Sequence, residues 1–544
     1  MIARVHTAAL LGVDALAVEL EADLRRSGIP AFMLVGLPDS AVREAKERVF
    51  AALKNAGFSL PPSRITVNLA PADLRKEGSG FDLPLALGLL GAAEVLPQSS
   101  LDGWFCLGEV SLSGELRPVP GVLPLALLAR ERGARGVLVP EANAAEAGLV
   151  EGIEAVGAAT LGELAGFLLG RTHIEPAHAD PAALLAAGSG PEAGPAAFCG
   201  LDFADVKGQD HAKRAVEIAA AGGHNLLFTG PPGAGKTMLA QRIPTVLPPL
   251  TFEEALEVTK VYSVAGELPR GAALIARRPF RSPHHTISDV GLAGGGRTPR
   301  PGEVSLAHRG VLFLDELPEF QKSALEVLRQ PLEDGRVSIS RSLVTLEYPA
   351  RFMLVAAMNP CPCGWFTDPH HVCTCAPAAV QRYQARISGP LLDRIDLQVE
   401  VPAVPHEDLR RARGGVDSAT MRARVAAARA VQAARYAGDA GPDAAADAAR
   451  NPVRNPALAQ GMTNAQLAGA ALERHCALDA AGHEFLGAAV RRLGLSARAY
   501  TRILRIARTI ADLEAAEAGR PEAPPLGVIH LAEAVNYRSL DRGA

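Results

Sequence analysis

Residues 226–237 read LLFTGPPGAGKT, an apolar run followed by a glycine-rich loop and a Lys-Thr pair. A strand that leads through such a loop into a helix surrounds phosphate oxygens with backbone N–H groups. Lys236 supplies a cation for the β- and γ-phosphates, the Thr237 hydroxyl is a ligand for Mg²⁺, and the helix N-terminus favours negative charge. The segment therefore predicts a nucleotide site. The predicted contacts are Gly230, Pro231, Pro232, Gly233, Ala234, Gly235, Lys236 and Thr237.

Two further apolar runs end in polar residues that complete such a site. Residues 310–316 read GVLFLDE, which predicts a buried strand ending in Asp315 and Glu316. Asp315 is suited to hold the Mg²⁺ water shell, and Glu316 to polarise the attacking water. Residues 352–358 form another apolar run that ends at Asn359, an amide suited to orient that water. The alternatives are a strand ending in solvated acids and an asparagine that serves only in a turn.

Four of the seven cysteines fall within 15 residues, as two Cys-x-Cys pairs nine residues apart. Two closely spaced thiolate pairs predict a tetrahedral structural zinc site, which leaves no position for a catalytic water. The Cys-x-Cys spacing is tighter than the usual Cys-x-x-Cys, and His370 and His371 lie between the pairs as substitute ligands. A thiol–disulfide switch and metal-free reduced thiols are the alternatives. The predicted ligands are Cys361, Cys363, Cys373 and Cys375.

Composition excludes several classes of protein. Lys and Arg number 55 against 59 Asp and Glu, a formal net charge of −4, so a uniformly basic nucleic-acid coat is excluded while a local basic face is not. Seven cysteines in 544 residues are too few for a disulfide-framed secreted protein. Acidic residues interrupt the first apolar stretch, and no apolar run approaches about 20 residues. We expect a cytoplasmic protein with no membrane partner.

The length predicts three or four domains. Residues 1–170 show mixed α/β patterning, residues 171–200 are a proline-rich linker, residues 201–402 form a second α/β unit, and residues 403–544 are Ala- and Arg-rich and helical. A weakly ordered insert is expected at 438–443. In the first unit, Asp39 and Ser40 cap a helix predicted over 41–56. Strands are predicted at 18–22, 32–38, 65–69 and 137–139.

Several longer motifs extend beyond the nucleotide loop. The first unit contains VGLPDSAVREAKERV, ITVNLAPADLRKEGS and FDLPLAL; the second contains FRSPHHTIS, LFLDELPEF, AAMNPCPCG and SGPLLDRIDLQVEVP; YTRILRIARTIADLE and HLAEAVNYRSLDR close the third. With GPPGAGKT, these motifs resemble the AAA+ ATPases, and specifically the magnesium-chelatase-like group that includes YifB and ComM. The resemblance covers nearly the whole chain. It implies an AAA+ P-loop core with a helical lid, preceded by an S5-like α+β domain.

The resemblance also implies roles for three residues outside the loop. Asn359 would be the sensor-1 residue. Arg394, in LLDRIDL, resembles the arginine finger that reaches the ATP of a neighbouring subunit, unless it pairs with an acid of its own chain such as Asp393 or Asp396. Arg498 resembles the sensor-2 arginine of the lid, with Arg502 as a competitor.

A basic stretch lies between the nucleotide loop and the Asp-Glu strand. Residues 270–309 contain seven arginines against two acids. Proteins of this subgroup carry a helix-2 insert facing the ring pore at this place, and residues 336–348 match the pre-sensor-1 hairpin. Arg281, Arg297 and Arg300 are the predicted phosphate contacts, and DNA binding would be independent of sequence. An ordinary solvated or paired surface is the alternative.

The first unit resembles the S5-like fold of the Lon protease domain, in which a serine and a lysine form the catalytic pair. Ser79 matches the nucleophile, but Leu123 stands where the lysine base would be. Leucine cannot accept a proton, so we expect no peptidase activity and assign the domain a scaffold or DNA-guiding role.

These features together predict an ATP- and Mg²⁺-dependent, homo-hexameric ring motor with a structural Zn²⁺. Its expected substrate is single-stranded or branched DNA, as in the branch-migration helicases of the resembled group. The second hypothesis is a chelatase-type or chaperone-type remodeller whose substrate is another protein. A nucleotide-gated scaffold is a third, and the complete set of Asp315, Glu316 and Arg394 argues against it.

Overall fold

The computed structural model describes residues 2–26, 29–188, 200–269, 271–296, 299–340, 345–366, 368, 370–404, 415–439 and 462–538. Some predicted features lie outside these ranges and receive no structural account. They are Cys199, the arginines Arg270, Arg297 and Arg341, and residues 440–443 of the predicted insert.

A seven-stranded sheet organises the N-terminal unit, in the order β3-β4-β2-β1-β5-β8-β9. The pairs β1–β2 and β2–β4 are antiparallel and the other neighbours are parallel. The strands are β1 (Ile2–Leu11), β2 (Asp14–Arg25), β3 (Ala31–Val35), β4 (Arg64–Ala70), β5 (Trp104–Cys106), β8 (Gly136–Pro140) and β9 (Glu154–Ala158), with β6 (Glu109–Val110) and β7 (Leu116–Arg117) forming a separate ribbon.

The four predicted strands of this unit are confirmed, whereas β1, β5 and β9 were not predicted. The small alanines of β1 and β9 weaken the strand signal of their segments. The helix predicted over 41–56 spans Ser40–Asn55, and the Asp39 carboxylate caps it by accepting from the Val42 N–H at 2.8 Å. The other helices of this part are Asp82–Ala92, Gln98–Leu101, Val122–Glu131, Glu141–Ala147, Leu161–Leu168 and, within the predicted linker, Pro181–Gly188.

The second unit is built on a five-stranded parallel sheet in the order β11-β14-β17-β10-β18. Its central strands are buried almost throughout, which explains their uninterrupted apolar sequences. The strands are β10 (Leu226–Thr229), β11 (Phe280–Arg281), β14 (Val311–Leu314), β17 (Met353–Met358) and β18 (Leu397–Glu400). The surrounding helices are Asp210–Gly222, Lys236–Val246, Phe252–Ala265, Asp289–Ala293, Glu303–Leu306, Lys322–Glu326, Arg329–Asp334, Pro377–Gln384 and Gly389–Leu392.

Two antiparallel hairpins project from this unit and pack on each other. The first is β12 (Gly294–Gly295) with β13 (Arg300–Pro301), and the second is β15 (Arg336–Ser340) with β16 (Thr345–Pro349). The Tyr348 hydroxyl donates to the Pro299 carbonyl at 3.0 Å and joins the two. The second hairpin confirms the strand pair predicted at 336–348.

The described C-terminal residues are helical and contain no named strand. The helices are Ser418–Asp439, Gly469–His475, Ala480–Leu493, Ala497–Glu517 and Val528–Asn536. Their apolar faces join the core of the second unit in one continuous cluster. Buried Asp512 pairs with Arg435 and, at 3.2 Å, with Arg508, so the buried carboxylate of this helical layer has charged partners.

The N-terminal unit packs against helix Phe252–Ala265 of the second unit. The Gly121 N–H donates to the Ser263 carbonyl at 3.1 Å, and Lys260 pairs with Asp14 at 2.6 Å. Leu256 joins the apolar cluster formed by helix Val122–Glu131. A search of the described residues finds no helix that combines the length and apolarity needed to cross a membrane.

Candidate nucleotide-binding site

The polar residues predicted for the nucleotide site follow three neighbouring strands of the parallel sheet. β10 leads into the glycine-rich loop, β14 ends at Asp315, and β17 ends at Asn359. Because β14, β17 and β10 are adjacent and parallel, their carboxyl ends meet at one edge. The Gly230 N–H donates to the Met358 carbonyl at 3.2 Å and ties the loop to β17.

The loop has the backbone that a phosphate cradle requires. A Cβ at Gly230 would lie 2.0 Å from the Val401 carbonyl oxygen, so only glycine fits there. Gly233 and Gly235 have φ values of +77° and +94°, and a Cβ at either would meet open space. Gly235 caps helix Lys236–Val246, so the open space lies at a helix N-terminus, where anions bind favourably.

Lys236 is buried at the base of this space. Its Nζ donates to the Gly230 carbonyl at 2.6 Å, to the Pro231 carbonyl at 2.9 Å and to Asn359 Oδ1 at 3.0 Å. Burial lowers the pKa of Lys236, and the carboxylates of Asp315 and Glu316 oppose that shift. The lysine is therefore held beside the sensor-1 candidate and faces both acids.

Thr237 and Asp315 form the pair expected of a Mg²⁺ site. The Thr237 hydroxyl donates to Asp315 Oδ2 at 2.7 Å. A hydroxyl next to a carboxylate is an all-oxygen donor set, which suits this hard cation when it arrives with the triphosphate. These residues fit ATP and Mg²⁺: Thr237 would ligate the ion and Asp315 would hold its water shell.

Glu316 stands at the mouth of the site in an unusual backbone conformation. Its φ of +53° is rare for a residue with a side chain, and its own N–H donates to Asp315 Oδ1 at 2.9 Å. The carboxylate is 57 % exposed, and His285 Nδ1 lies 3.3 Å from Glu316 Oε2. His285 was not predicted as a site residue, although it lies in the FRSPHHTIS motif just after β11.

Arg394 lies apart from the phosphate loop within this chain. Its side chain is only 7 % exposed, pairs with Glu333 and donates to the Pro390 carbonyl at 2.5 Å. Arg394 therefore has an intrachain partner, as the alternative interpretation predicted, but that partner is neither Asp393 nor Asp396. Glu333 was not considered because it lies 61 positions earlier in the sequence.

Arg498 and Arg502 differ sharply in their surroundings. The Arg498 side chain is 63 % exposed, and its nearest acid, Asp393, is 4.0 Å away. Arg502, one helical turn on, pairs with buried Asp396. Arg498 is therefore the more available of the two for a bound phosphate. Among the described residues, neither Arg394 nor Arg498 bonds to the phosphate loop.

Most arginines of the basic stretch are engaged inside the protein. Arg281 forms bonds of 2.6 and 2.7 Å with Glu303, and a third with Glu267. The acids Glu254 and Glu257 similarly hold Arg278 and Arg309, and Arg277 donates to the Gly188 carbonyl. Arg300, on β13, is exposed. The prediction of Arg281 as a free phosphate contact is therefore wrong, because this arginine belongs to a paired surface. Arg300 is exposed, as a phosphate contact would be.

The four clustered cysteines converge beside the site. Their sulfur atoms all lie within 4.8 Å of one another, and three of the separations are 3.4, 3.6 and 3.7 Å. The Phe366 N–H donates to Cys361 Sγ at 3.3 Å, and the Trp365 N–H lowers the pKa of the Cys363 thiol. His371 instead stacks on Trp365. The cluster could hold a metal ion through sulfur alone.

The two N-terminal residues compared with a serine–lysine pair are not brought into a catalytic pair. The Ser79 hydroxyl bonds to Glu109, and Leu123 is fully buried with its N–H donating to Glu146 Oε1 at 2.9 Å. The segment that would supply the base instead begins the helix that packs on the second unit.

A glycine-rich loop, an Asp-Glu pair and an asparagine at one edge of a parallel sheet define an ATPase site of the AAA+ type. Comparison with known families agrees. The model described as magnesium chelatase, subunit ChlI, matches residues 202–409, and models for the ChlI subunit and its C-terminal part match residues 20–143 and 415–538.

Two relatives that align over nearly their full length identify the family within this class of ATPases. The competence protein ComM of Haemophilus influenzae is 44 % identical, and an uncharacterized protein YifB of Salmonella typhimurium is 42 % identical; each alignment covers 99 % of this chain and 98 % of the relative. A magnesium-chelatase 67 kDa subunit of Chlorobaculum parvum is 29 % identical over 29 % of this chain and 23 % of its own. The chain belongs to the YifB/ComM family of magnesium-chelatase-like AAA+ ATPases.

Proposed function

We propose that this protein is an ATP-driven DNA translocase that works as a homo-hexameric ring on single-stranded or branched DNA. The full-length likeness to a competence protein carries the proposal, because competence involves DNA. Magnesium-chelatase-like AAA+ proteins are generally oligomeric, which agrees with a ring. The N-terminal unit serves as an S5-like scaffold or DNA guide, and the C-terminal helices as the nucleotide lid.

The paired hairpins supply the surface that would follow the DNA backbone. Arg300 on β13 is exposed, whereas Arg336 on β15 is exposed but pairs with Glu347 at 3.0 Å, so Arg300 is the more available of the two for a phosphate. The second hairpin also lies against the β1–β2 turn, since a Cβ at Gly12 would be 3.1 Å from the Glu347 carbonyl oxygen. Exposed guanidinium groups on adjoining hairpins suit contacts to phosphates, which do not depend on base sequence.

The hydrolytic roles follow from the site. Lys236 and the loop amides hold the phosphates, Thr237 and Asp315 hold Mg²⁺, Glu316 activates water, and Asn359 orients it. Arg394 acts on the ATP of the neighbouring subunit, which requires ring assembly to replace its bond to Glu333. Arg498 approaches the phosphates when the helical lid closes.

The DNA hypothesis is tested by measuring ATPase activity with single-stranded DNA, forked DNA, four-way junctions or an unrelated protein. Changing Arg297 and Arg300 to Ala should weaken DNA binding equally across sequences and lower the salt slope by about one for each lost contact. Basal ATPase should persist, and Arg492→Ala, at an exposed arginine of the C-terminal helices, is the control. A ring that hydrolyses ATP but binds no DNA near physiological salt would favour the protein-remodeller hypothesis.

We further propose that the cysteine cluster holds one structural Zn²⁺. Tetrahedral zinc with bonds of about 2.3 Å places its sulfur ligands about 3.8 Å apart. The separations among the Cys361, Cys363 and Cys373 sulfur atoms, 3.4 to 3.7 Å, are close to that value and far beyond a disulfide bond, and Cys375 Sγ lies within 4.8 Å of all three. Metal analysis of gently prepared protein should give about one zinc per chain. Protein prepared without chelators that contains no zinc would refute this assignment.

A further inference from the structure

The cysteine cluster lies directly against the phosphate loop. Gly364, between the two cysteine pairs, has a φ of +87°, and a Cβ there would lie 2.6 Å from Pro232 Cδ and 2.9 Å from its Cγ. The cysteine segment thus approaches the loop as closely as a glycine permits. Pro232 belongs to the predicted phosphate cradle, so this contact joins the two sites.

A second connection runs along the backbone. Asn359, which accepts from Lys236 Nζ, lies two residues before fully buried Cys361. Gln384 Nε2 holds the intervening Pro360 carbonyl at 3.1 Å, and the Gly364 N–H donates to the Cys361 carbonyl at 3.0 Å. The cluster therefore adjoins the site both through Pro232 and through Asn359.

The segment has little regular structure with which to hold this position. Among its described residues between the end of β17 and helix Pro377–Gln384, none belongs to a helix or a strand. A closed four-thiolate site is a known way to stabilise so short and irregular a segment. Its rigidity would then depend on the metal, and so would the placement of Pro232 and Asn359.

We propose that the metal-bound cysteine segment, residues 359–366 and 370–376, is a wall of the nucleotide site, so that metal occupancy sets the affinity for ATP. The inference rests on the proposed zinc site and is independent of the DNA hypothesis. Gly364 and the four cysteines are positioning residues, because they act on the phosphate loop and not on ATP itself.

The contact is tested by substituting Gly364 in two backgrounds. Gly364→Ala should raise the KM for ATP about tenfold while changing kcat less than about threefold, because a small displacement of binding groups weakens productive binding. In a Pro232→Ala background, which lacks Cγ and Cδ, the same substitution should have an effect of less than about threefold. Gly133→Ala introduces alanine at a similar positive φ, +65°, with no neighbour within 4 Å, and should leave the KM unchanged.

An equal rise in KM in both backgrounds would overturn the proposed role of the Gly364–Pro232 contact, since backbone strain at residue 364 alone would then explain the rise. Zinc content and thermal stability are measured on each variant. Retained zinc with a raised KM supports the proposal that the cysteine segment is a wall of the nucleotide site. An unaltered KM in folded Gly364→Ala overturns that proposal.

The metal itself is tested on the full chain under reducing conditions. Removing zinc with a chelator, followed by removal of the chelator, should raise the dissociation constant for a fluorescent ATP analogue, and added Zn²⁺ should restore it. Folded, zinc-free protein with unchanged affinity would overturn the inference while leaving the zinc site intact. Absence of zinc at the outset would refute the zinc site, and DNA is not needed for either measurement.

Discussion

A comparison of two buried lysines, Lys236 and Lys76, from different α/β units shows what separates a site from a structural contact. Lys236 follows β10 at the first position of its helix, and Lys76 follows β4; each adjoins a stretch that contains glycines. Burial lowers the pKa of both, and nearby carboxylates oppose the shift in each case. Similar local chemistry therefore occurs in both α/β units.

The surroundings of the two lysines differ in the side chains that the fold brings to each. The loop of Lys76 is closed by its own contacts: its Nζ donates to the Pro71 carbonyl, and the Asp39 N–H donates to the Lys76 carbonyl at 3.0 Å. The Asp39 carboxylate is committed to the Val42 N–H. Lys236, in contrast, bonds to the Asn359 side chain and faces the carboxylates of Asp315 and Glu316, which the fold brings from two other strands. A site needs polar groups directed into space that a ligand can enter.

The largest expected difference comes from substituting each of these two lysines. Lys236→Ala should reduce ATP binding and hydrolysis by more than about 100-fold, because the triphosphate loses its cation. Lys76→Met should keep ATPase activity within about twofold and destabilise the fold by about 0.5–1.5 kcal/mol, because the hydrogen bond from Lys76 to the Pro71 carbonyl is lost. Nucleotide titration and thermal denaturation separate the two outcomes. Loss of ATPase in folded Lys76→Met would break the comparison.

Glu316→Gln should lower kcat by about 10² to 10⁴ while ATP binding remains, because the amide cannot accept a proton but leaves Asp315 in place. Single-turnover hydrolysis and a binding titration measure the two effects. His285→Ala is the matched test of the neighbouring contact and should have a smaller effect, since it removes only a group that touches the carboxylate. Wild-type turnover in Glu316→Gln would remove this residue from the proposed role.

Arg394→Ala should abolish most ATPase activity while each subunit still binds ATP, because the neighbour's pocket loses its arginine. Mixing it with excess Lys236→Ala subunits should restore part of the activity at hybrid interfaces. Glu333→Gln, which removes only the intrachain partner, should retain activity within about threefold of wild type. Equal losses in Arg394→Ala and Glu333→Gln, with no recovery in exchanging mixtures, would indicate a purely intrachain role.

The smallest effect is expected from Ser79→Ala. Its hydroxyl bonds to Glu109, and no base stands at Leu123, so ATPase activity should change by less than about twofold. Incubation of wild type and variant with an unfolded protein substrate should show no cleavage that depends on Ser79. Serine-dependent cleavage would instead make the N-terminal unit a second active site.

Much of the nucleotide site was predictable because its elements are local. The strand, loop and helix of residues 226–246 are encoded by adjacent residues, and an Asp-Glu pair after an apolar run needs no distant partner to be recognised. The helix Ser40–Asn55 was predicted to within one residue at each end because Asp39 caps it locally. Strand β1 was not predicted, since its alternation is masked by small residues.

The partners of individual arginines were not predictable in this way. The sequence predicted Arg281 as a phosphate contact and Arg394 as an arginine finger. Within the chain, Arg281 pairs with Glu303 and Arg394 pairs with Glu333. Charge counts along the sequence show how many cations a segment has. Ion pairs depend on which acids the fold brings within about 4 Å, and those acids lie on other elements.

The sequence by itself determined the family, the nucleotide loop and the cluster of four cysteines, because each is written in closely spaced residues whose chemistry is specific. Only the tertiary structure decided that the cysteine segment packs on Pro232, that His285 touches Glu316 and that Ser79 is bound to Glu109. Those contacts join residues 30 to more than 130 positions apart in the chain. Their existence depends on the order of strands in a sheet and on the packing of loops at its edge, which no local pattern records.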